Sequence, residues 1–151
     1  MRRLVAVCVV AAGLFLSASD ADAAQCEIVT LPVVFGNYNV FLTTATDSLG
    51  SVVYTCNGGA HAIQILISAG ASGAFTPRKL FKAGEWLGYN LYRDASRSVV
   101  WGNGVGGTSF YTSTDVPNRT EVVVPVFGRV PAGQDVTAGA YADSVSVTIN
   151  F

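Results

Sequence analysis

Apolar and polar residues alternate most cleanly at the end of the chain. Tyr141, Val145, Val147, Ile149 and Phe151 share one parity, and Ser144, Ser146, Thr148 and Asn150 share the other. A period of two places successive side chains on opposite faces of a strand, so one face is meant for a core and the other for water. From Cys26 onward the same logic recurs in short runs of Val, Ile, Thr, Tyr and Phe broken by Gly, Pro, Asn and Asp, which predicts strands rather than helices. Strands are expected at residues 27–35, 50–57, 62–68, 87–93, 99–101, 108–113, 121–130 and 141–151. Turns are expected at Asn57-Gly58-Gly59, Gly70 to Gly73, Gly102 to Gly107 and Pro131-Ala132-Gly133, where residues tolerate positive φ or fix a bend. Short strands at this spacing predict an all-β sandwich or barrel.

The last strand raises a question of pairing. In a complete immunoglobulin-like sandwich a further strand would lie beside it. Unless an early strand covers it, its free edge adjoins an uncovered core. Val145, Val147, Ile149 and Phe151 are therefore expected to line a groove open to a strand from another molecule.

The first residues follow a different pattern. Arg2 and Arg3 precede an apolar run over residues 4–16 that ends in small residues, the form of a secretory signal peptide. The run is shorter than the roughly 20 residues of a membrane span. Cleavage is expected after Ala23, with Ala21 as the alternative, dividing the chain into a signal peptide at 1–23 and one domain at 24–151. Gln25 before Cys26 argues against lipid attachment there. Of the 3 cysteines, Cys8 would leave with the signal peptide. Cys26 and Cys56 are then expected to pair in an oxidising compartment. The 9 basic and 10 acidic residues give a net charge of −1; the seven basic and eight acidic residues of the expected domain are dispersed along it, so no patch suited to tracking phosphates is expected and nucleic acid is not an expected partner.

Candidate chemistry is sparse. His61 is the single histidine and sits in a turn without cysteine or carboxylate at ligand spacing, so it reads as a surface residue and no metal site is expected. No nucleophile elbow surrounds a serine, and both cysteines of the domain are needed for the bridge. Gly102 to Gly107 lacks the lysine and helix of a phosphate loop. Asp47, Asp94, Asp115 and Asp143 are scattered over turn-like segments and read as solvated rather than as a hydrolytic pair. Neither a catalytic activity nor a cofactor is expected. Asn118-Arg119-Thr120 fits a glycosylation sequon of little weight. Trp86, Trp101, Tyr89, Tyr92, Phe110 and Tyr111 read as core aromatics, with a sugar-binding or surface-binding patch as the alternative. Arg93-Asp94 and Arg129 read as loop-ordering ion pairs of small energetic weight.

Several motifs, taken in order, resemble the spore coat protein U domain family, which includes the subunits of archaic chaperone-usher pili. They begin with Cys26, Phe35-Gly36-Asn37-Tyr38, Val53, Cys56 and Arg78-Lys79-Leu80. They continue with Leu91-Tyr92-Arg93-Asp94, Trp101-Gly102-Asn103-Gly104, Phe127-Gly128-Arg129-Val130, Gly133-Gln134 and the ending from Gly139 to Phe151. The resemblance implies an immunoglobulin-like Greek-key sandwich lacking its last strand, which a periplasmic chaperone fills first and a neighbouring subunit's amino-terminal extension fills later. An outer-membrane usher would be a further partner. The implied role is a structural subunit of a fimbria or of a spore or cell coat, exported through the periplasm to the cell surface. One departure stands out. Only Ala24 and Gln25 precede Cys26 after the expected cleavage, and at about 3.3 Å per residue they are too short to donate a strand. The chain is therefore expected to receive a strand without donating one, as a terminal subunit would. The alternative expectation is a self-contained secreted binding module, or a tip adhesin, recognising a surface or carbohydrate.

Overall fold

The computed structural model of the protein describes residues 24–59 and 62–151. The expected signal peptide and His61 lie outside the described residues. Eight strands follow in order: β1 (Gln25–Leu31), β2 (Thr46–Asn57), β3 (Ile63–Ile67), β4 (Arg78–Lys82), β5 (Glu85–Tyr92), β6 (Tyr111–Ser113), β7 (Glu121–Val130) and β8 (Val147–Asn150). They form a five-stranded sheet in the order β1-β2-β7-β5-β4 and a three-stranded sheet in the order β6-β3-β8. Every pairing between them is antiparallel. The architecture is all-β, an immunoglobulin-like sandwich of two curled sheets.

The core is supplied by alternate positions of the strands. Val52, Tyr54 and Cys56 on β2, Ile63, Ile65 and Ile67 on β3, and Val124, Val126 and Val130 on β7 are buried. Trp101 fills the centre with none of its surface exposed, and its indole N–H donates to Ile65 O at 2.9 Å. Buried indole needs that partner, since an unpaired donor in the interior carries its full desolvation cost.

β7 occupies the expected span, whereas other boundaries shift for physical reasons. β1 stops at Leu31 rather than at residue 35. Pro32 has no N–H for the ladder, and Val33 and Phe35 then turn inward over two glycines. A Cβ on Gly50 would lie 2.8 Å from Val33 Cγ2, and one on Gly128 would lie 2.9 Å from Phe35 Cε1. β4 is not among the expected strands, since its sequence RKLFK carries three charges in five residues. Arg78 is instead wholly buried. Its Nε and Nη2 donate to Ser68 O at 3.0 and 2.9 Å, Nη2 also to Trp101 O at 2.7 Å, and Nη1 to Asn90 Oδ1 at 2.7 Å. Residues 99–101 form only isolated bridges, Tyr92 to Val100 and Trp101 to Ser109. The expected strand 108–113 contracts to the three residues of β6, and 141–151 contracts to β8.

Candidate functional site: an open groove between β1 and β8

The two sheets do not close on each other at β1 and β8. Each is the outermost strand of its own sheet, and among the described residues no strand pairs with the outer edge of either. On the β8 side, Ser68 N–H donates to Ser146 O at 2.9 Å. The ladder then pairs Leu66 with Thr148 and Gln64 with Asn150. Hydrogen-bonded pairs alternate along an antiparallel ladder, so the main-chain groups of Val145, Val147 and Ile149 point away from β3, into the opening. On the β1 side, Cys26 and Cys56 are joined by a disulfide and their Cα atoms are 4.1 Å apart, the close spacing of a non-hydrogen-bonded pair. Cys56 O instead accepts from Arg119 N–H at 2.7 Å on its far side. The main-chain groups of Cys26, Ile28 and Thr30 consequently face the opening as well. Two unpaired strand edges thus look at each other across the gap.

The side chains carry the same message. Exposure alternates without a break from Tyr141 to Asn150, with Tyr141, Asp143, Val145, Val147 and Ile149 half-buried and their neighbours exposed. Phe151 is 55% exposed. The apolar members of this set pack on the core without being covered by it. Three cavities follow the gap from end to end. One of about 400 Å³ lies beside Cys26, Cys56, Arg119 and Phe151. Another of about 280 Å³ lies between Leu31 and Val33 on one wall and Val145 and Val147 on the other, with Val52 and Leu91 below. The largest, about 960 Å³, is bounded by Phe35, Tyr38, Leu80, Leu87, Val136 and Tyr141.

Polar contacts hold the walls apart. Ala142 exchanges both main-chain hydrogen bonds with Phe81 of β4, at 2.8 and 3.1 Å, so the segment before β8 is tied to the other sheet. Asp143 Oδ2 accepts from Tyr89 Oη at 2.7 Å and Oδ1 from Ala71 N at 2.9 Å. Burial and the adjoining Asp143 carboxylate push the Tyr89 hydroxyl well above its ordinary value. Tyr141 Oη donates to Glu85 Oε2 at 2.6 Å, and Thr137 Oγ1 does so at 2.5 Å. These two donors hold the Glu85 carboxyl below its usual range. Tyr38 Oη donates to Pro131 O and accepts from Gln134 N–H, at 3.1 and 2.9 Å. Gln134 in turn brackets Gly88 with two hydrogen bonds, 2.7 and 2.9 Å long.

The remaining candidates separate clearly. The four aspartates do not converge: Asp47 accepts a two-pronged contact from Arg129 at 2.7 and 2.8 Å, and Asp94 holds Ser96, Ser98 and Val99 in a local turn. Asp115 is exposed, while Asp143 is the correction, being a half-buried post of the groove rather than a solvated turn residue. Arg93 and Asp94 do not pair with each other; Arg93 Nη1 donates to Ser109 Oγ at 2.8 Å. Trp101, Tyr89 and Tyr111 belong to the interior cluster. Trp86 does not, being 48% exposed with Lys79 Nζ 4.1 Å above its ring. Its register places it opposite Phe81, on the outer face of the β4–β5 hairpin. Among the described residues no group of three or more His, Cys, Asp or Glu side chains could hold a metal ion.

The fold and the open gap can be set beside known proteins. A chain of the crystal structure of the CsuC–CsuE chaperone–tip adhesion subunit pre-assembly complex, from archaic chaperone-usher Csu pili of Acinetobacter baumannii, superposes with a TM-score of 0.60. The match covers 85% of this chain and 40% of that one, at 22% identity. Protein U of Myxococcus xanthus is 33% identical over 110 residues, or 73% of this chain and 54% of that protein. The present chain therefore spans about half the length of these relatives. The model of the Spore Coat Protein U domain matches residues 12–148. With a match over most of its length and a relative one-third identical, the chain belongs to the spore coat protein U domain family.

Proposed function

We propose that the chain is a structural subunit of an extracellular coat or fimbria, and that the groove between β1 and β8 takes up a β-strand from a partner protein. The observation that carries this reading is the pair of facing, unpaired strand edges over half-buried apolar side chains. A strand laid in the gap would bond to both edges and place alternate side chains in the three cavities, which is recognition by strand addition. An assembly chaperone and a second coat or pilus subunit are the partners of that chemistry, with an usher guiding export to the cell surface. The disulfide supports passage through an oxidising compartment. Reception without donation rests on cleavage behind Ala23, which amino-terminal sequencing of the exported protein tests. The strand-accepting role is tested by a synthetic peptide of about nine residues with alternate Val, Ile or Leu, carrying a photo-crosslinker. Crosslinks to both the 26–33 wall and the 145–151 wall are expected, and failure to bind at millimolar peptide would sink the idea.

One observation favours the binding-module alternative: the exposed pair of Phe81 and Trp86 offers an aromatic platform on the hairpin. A sharp, reversible melt above about 60 °C without peptide or chaperone, together with peptide indifference, would support that reading instead.

A further inference from the structure

The outer face of the five-stranded sheet has an order that the core does not require and that only Leu31 and Ser51, at the rim of the groove, share with it. The register of β1, β2 and β7 aligns Val29 with Val53 and Val123, and Leu31 with Ser51 and Pro125. The next row pairs Leu49 with Phe127. These positions alternate with the buried Val52, Tyr54, Val124 and Val126 and so lie on the opposite face of the sheet, where the small Ser51, between Leu31 and Pro125, is 8% exposed. Val29, Leu31, Leu49 and Val123 are 57–62% exposed. Together the three rows make a continuous apolar band on the order of 400 Å², within the range of the largest and often functional patch on a monomer.

The band is bracketed by opposite charges. At one end Glu27 and Glu121 flank Thr55 in a single row, and none of the ion pairs formed among the described residues involves either. At the other end Arg129 and Arg97 share the single carboxylate of Asp47, at 2.7 and 3.3 Å. That end carries a net positive charge. Arg97 also lies 5.8 Å from the centre of the Phe127 ring.

We infer that this face packs against the same face of a second copy of the chain, about a two-fold axis lying in the interface and perpendicular to the strands. The axis passes through the Leu31–Ser51–Pro125 row. The valine row of one copy then covers Leu49 and Phe127 of its partner, and Glu121 comes opposite Arg129 with Arg97 beside it. The other in-plane axis, parallel to the strands, would set Glu27 against Glu121 and is disfavoured by like charge. Such a contact is isologous and self-limiting. Five rows span about 27 Å, so the pair buries on the order of 1,000 Å², the lower limit for a specific interface. The dimer is accordingly weak, forming at tens to hundreds of micromolar.

Sedimentation velocity of the exported protein, with the groove filled by peptide or chaperone, tests this separately from the groove reading. The wild type is expected to pass from monomer to dimer between about 10 µM and 1 mM. Val123→Lys and Glu121→Arg should each weaken association at least tenfold without changing the melting temperature. A D47R/R129E chain inverts the internal ion pair and should also fail to self-associate, yet mixing it with Glu121→Arg should restore dimers. A monomer at 1 mM, or a dimer indifferent to Val123→Lys, overturns the proposal. A dimer present with the groove empty and lost when peptide fills it would have formed through the groove, and it overturns the proposal while leaving the strand-accepting role intact.

Discussion

Arg78 shows how much a single side chain can organise. Its guanidinium reaches the chain at Ser68, Asn90 and Trp101, and burial pushes its pKa down. Arg78→Met removes every donor of that set, leaving the Ser68 and Trp101 carbonyls unpaired and Asn90 Oδ1 with the Leu91 N–H alone. A loss of about 3 to 5 kcal/mol is expected in urea unfolding, far more than Lys79→Met on the same strand. Asp94 predicts a different signature. The Ser96 hydroxyl, followed by the Val99 and Ser98 amides, holds its carboxyl well below the ordinary range. A depressed folded pKa contributes stability above the unfolded value of about 4, and that stability is lost as the pH falls below it. Asp94→Asn should therefore melt earlier at pH 7, and its deficit should narrow as the pH is lowered from about 4. Sequence alone could not distinguish these two residues from ordinary surface charges. What separates them is the set of main-chain carbonyls and amides that only the folded chain brings around each.

Elements differ in how plainly the sequence announces them. β7 was read with its ends correct because Val122, Val123, Val124 and Val126 lie between clear turn residues. Its Pro125 is tolerated inside the sheet because β5 reaches β7 only from Phe127 to Arg129, so no donor is missed there. The parity of the final segment was equally legible, since a period of two survives whether or not the segment pairs along its whole length. Its division was not legible: residue 142 bonds to β4 while Val147–Asn150 bond to β3, and such a switch between sheets leaves no trace in local hydrophobicity. The expected consequence of parity is that Val147→Asp abolishes secretion or folding, whereas Ser146→Asp does not; equal yields would refute it. The bridge between β1 and β2 closes a separation of 30 residues, for which chain entropy gives about 3 to 4 kcal/mol. Replacing Cys26 and Cys56 together by Ala should lower the urea midpoint accordingly. Loss of peptide binding should accompany it, since β1 is an edge strand held from one side only.

At the scale of the molecule the open gap sets both stability and timing. A strand that buries four or five large apolar side chains contributes roughly 6 to 15 kcal/mol gross, comparable to the whole stability of a domain. The chain alone is thus expected to be marginal. Peptide at a hundred times its dissociation constant should add about 2.7 kcal/mol and raise the melting temperature by roughly 10 °C, measured by calorimetry at pH 7. The walls of the groove come from residues 26–35 and 141–151, separated by nearly every other strand. Contacts so distant along the chain form late, after the loop-closure cost of the intervening segments has been met. No fragment emerging from an export channel can therefore offer the cleft: it comes into being when the first and last strands stand across from each other. A factor that gripped it would act as an inspector of finished molecules, passing over nascent ones without needing any signal beyond the shape itself.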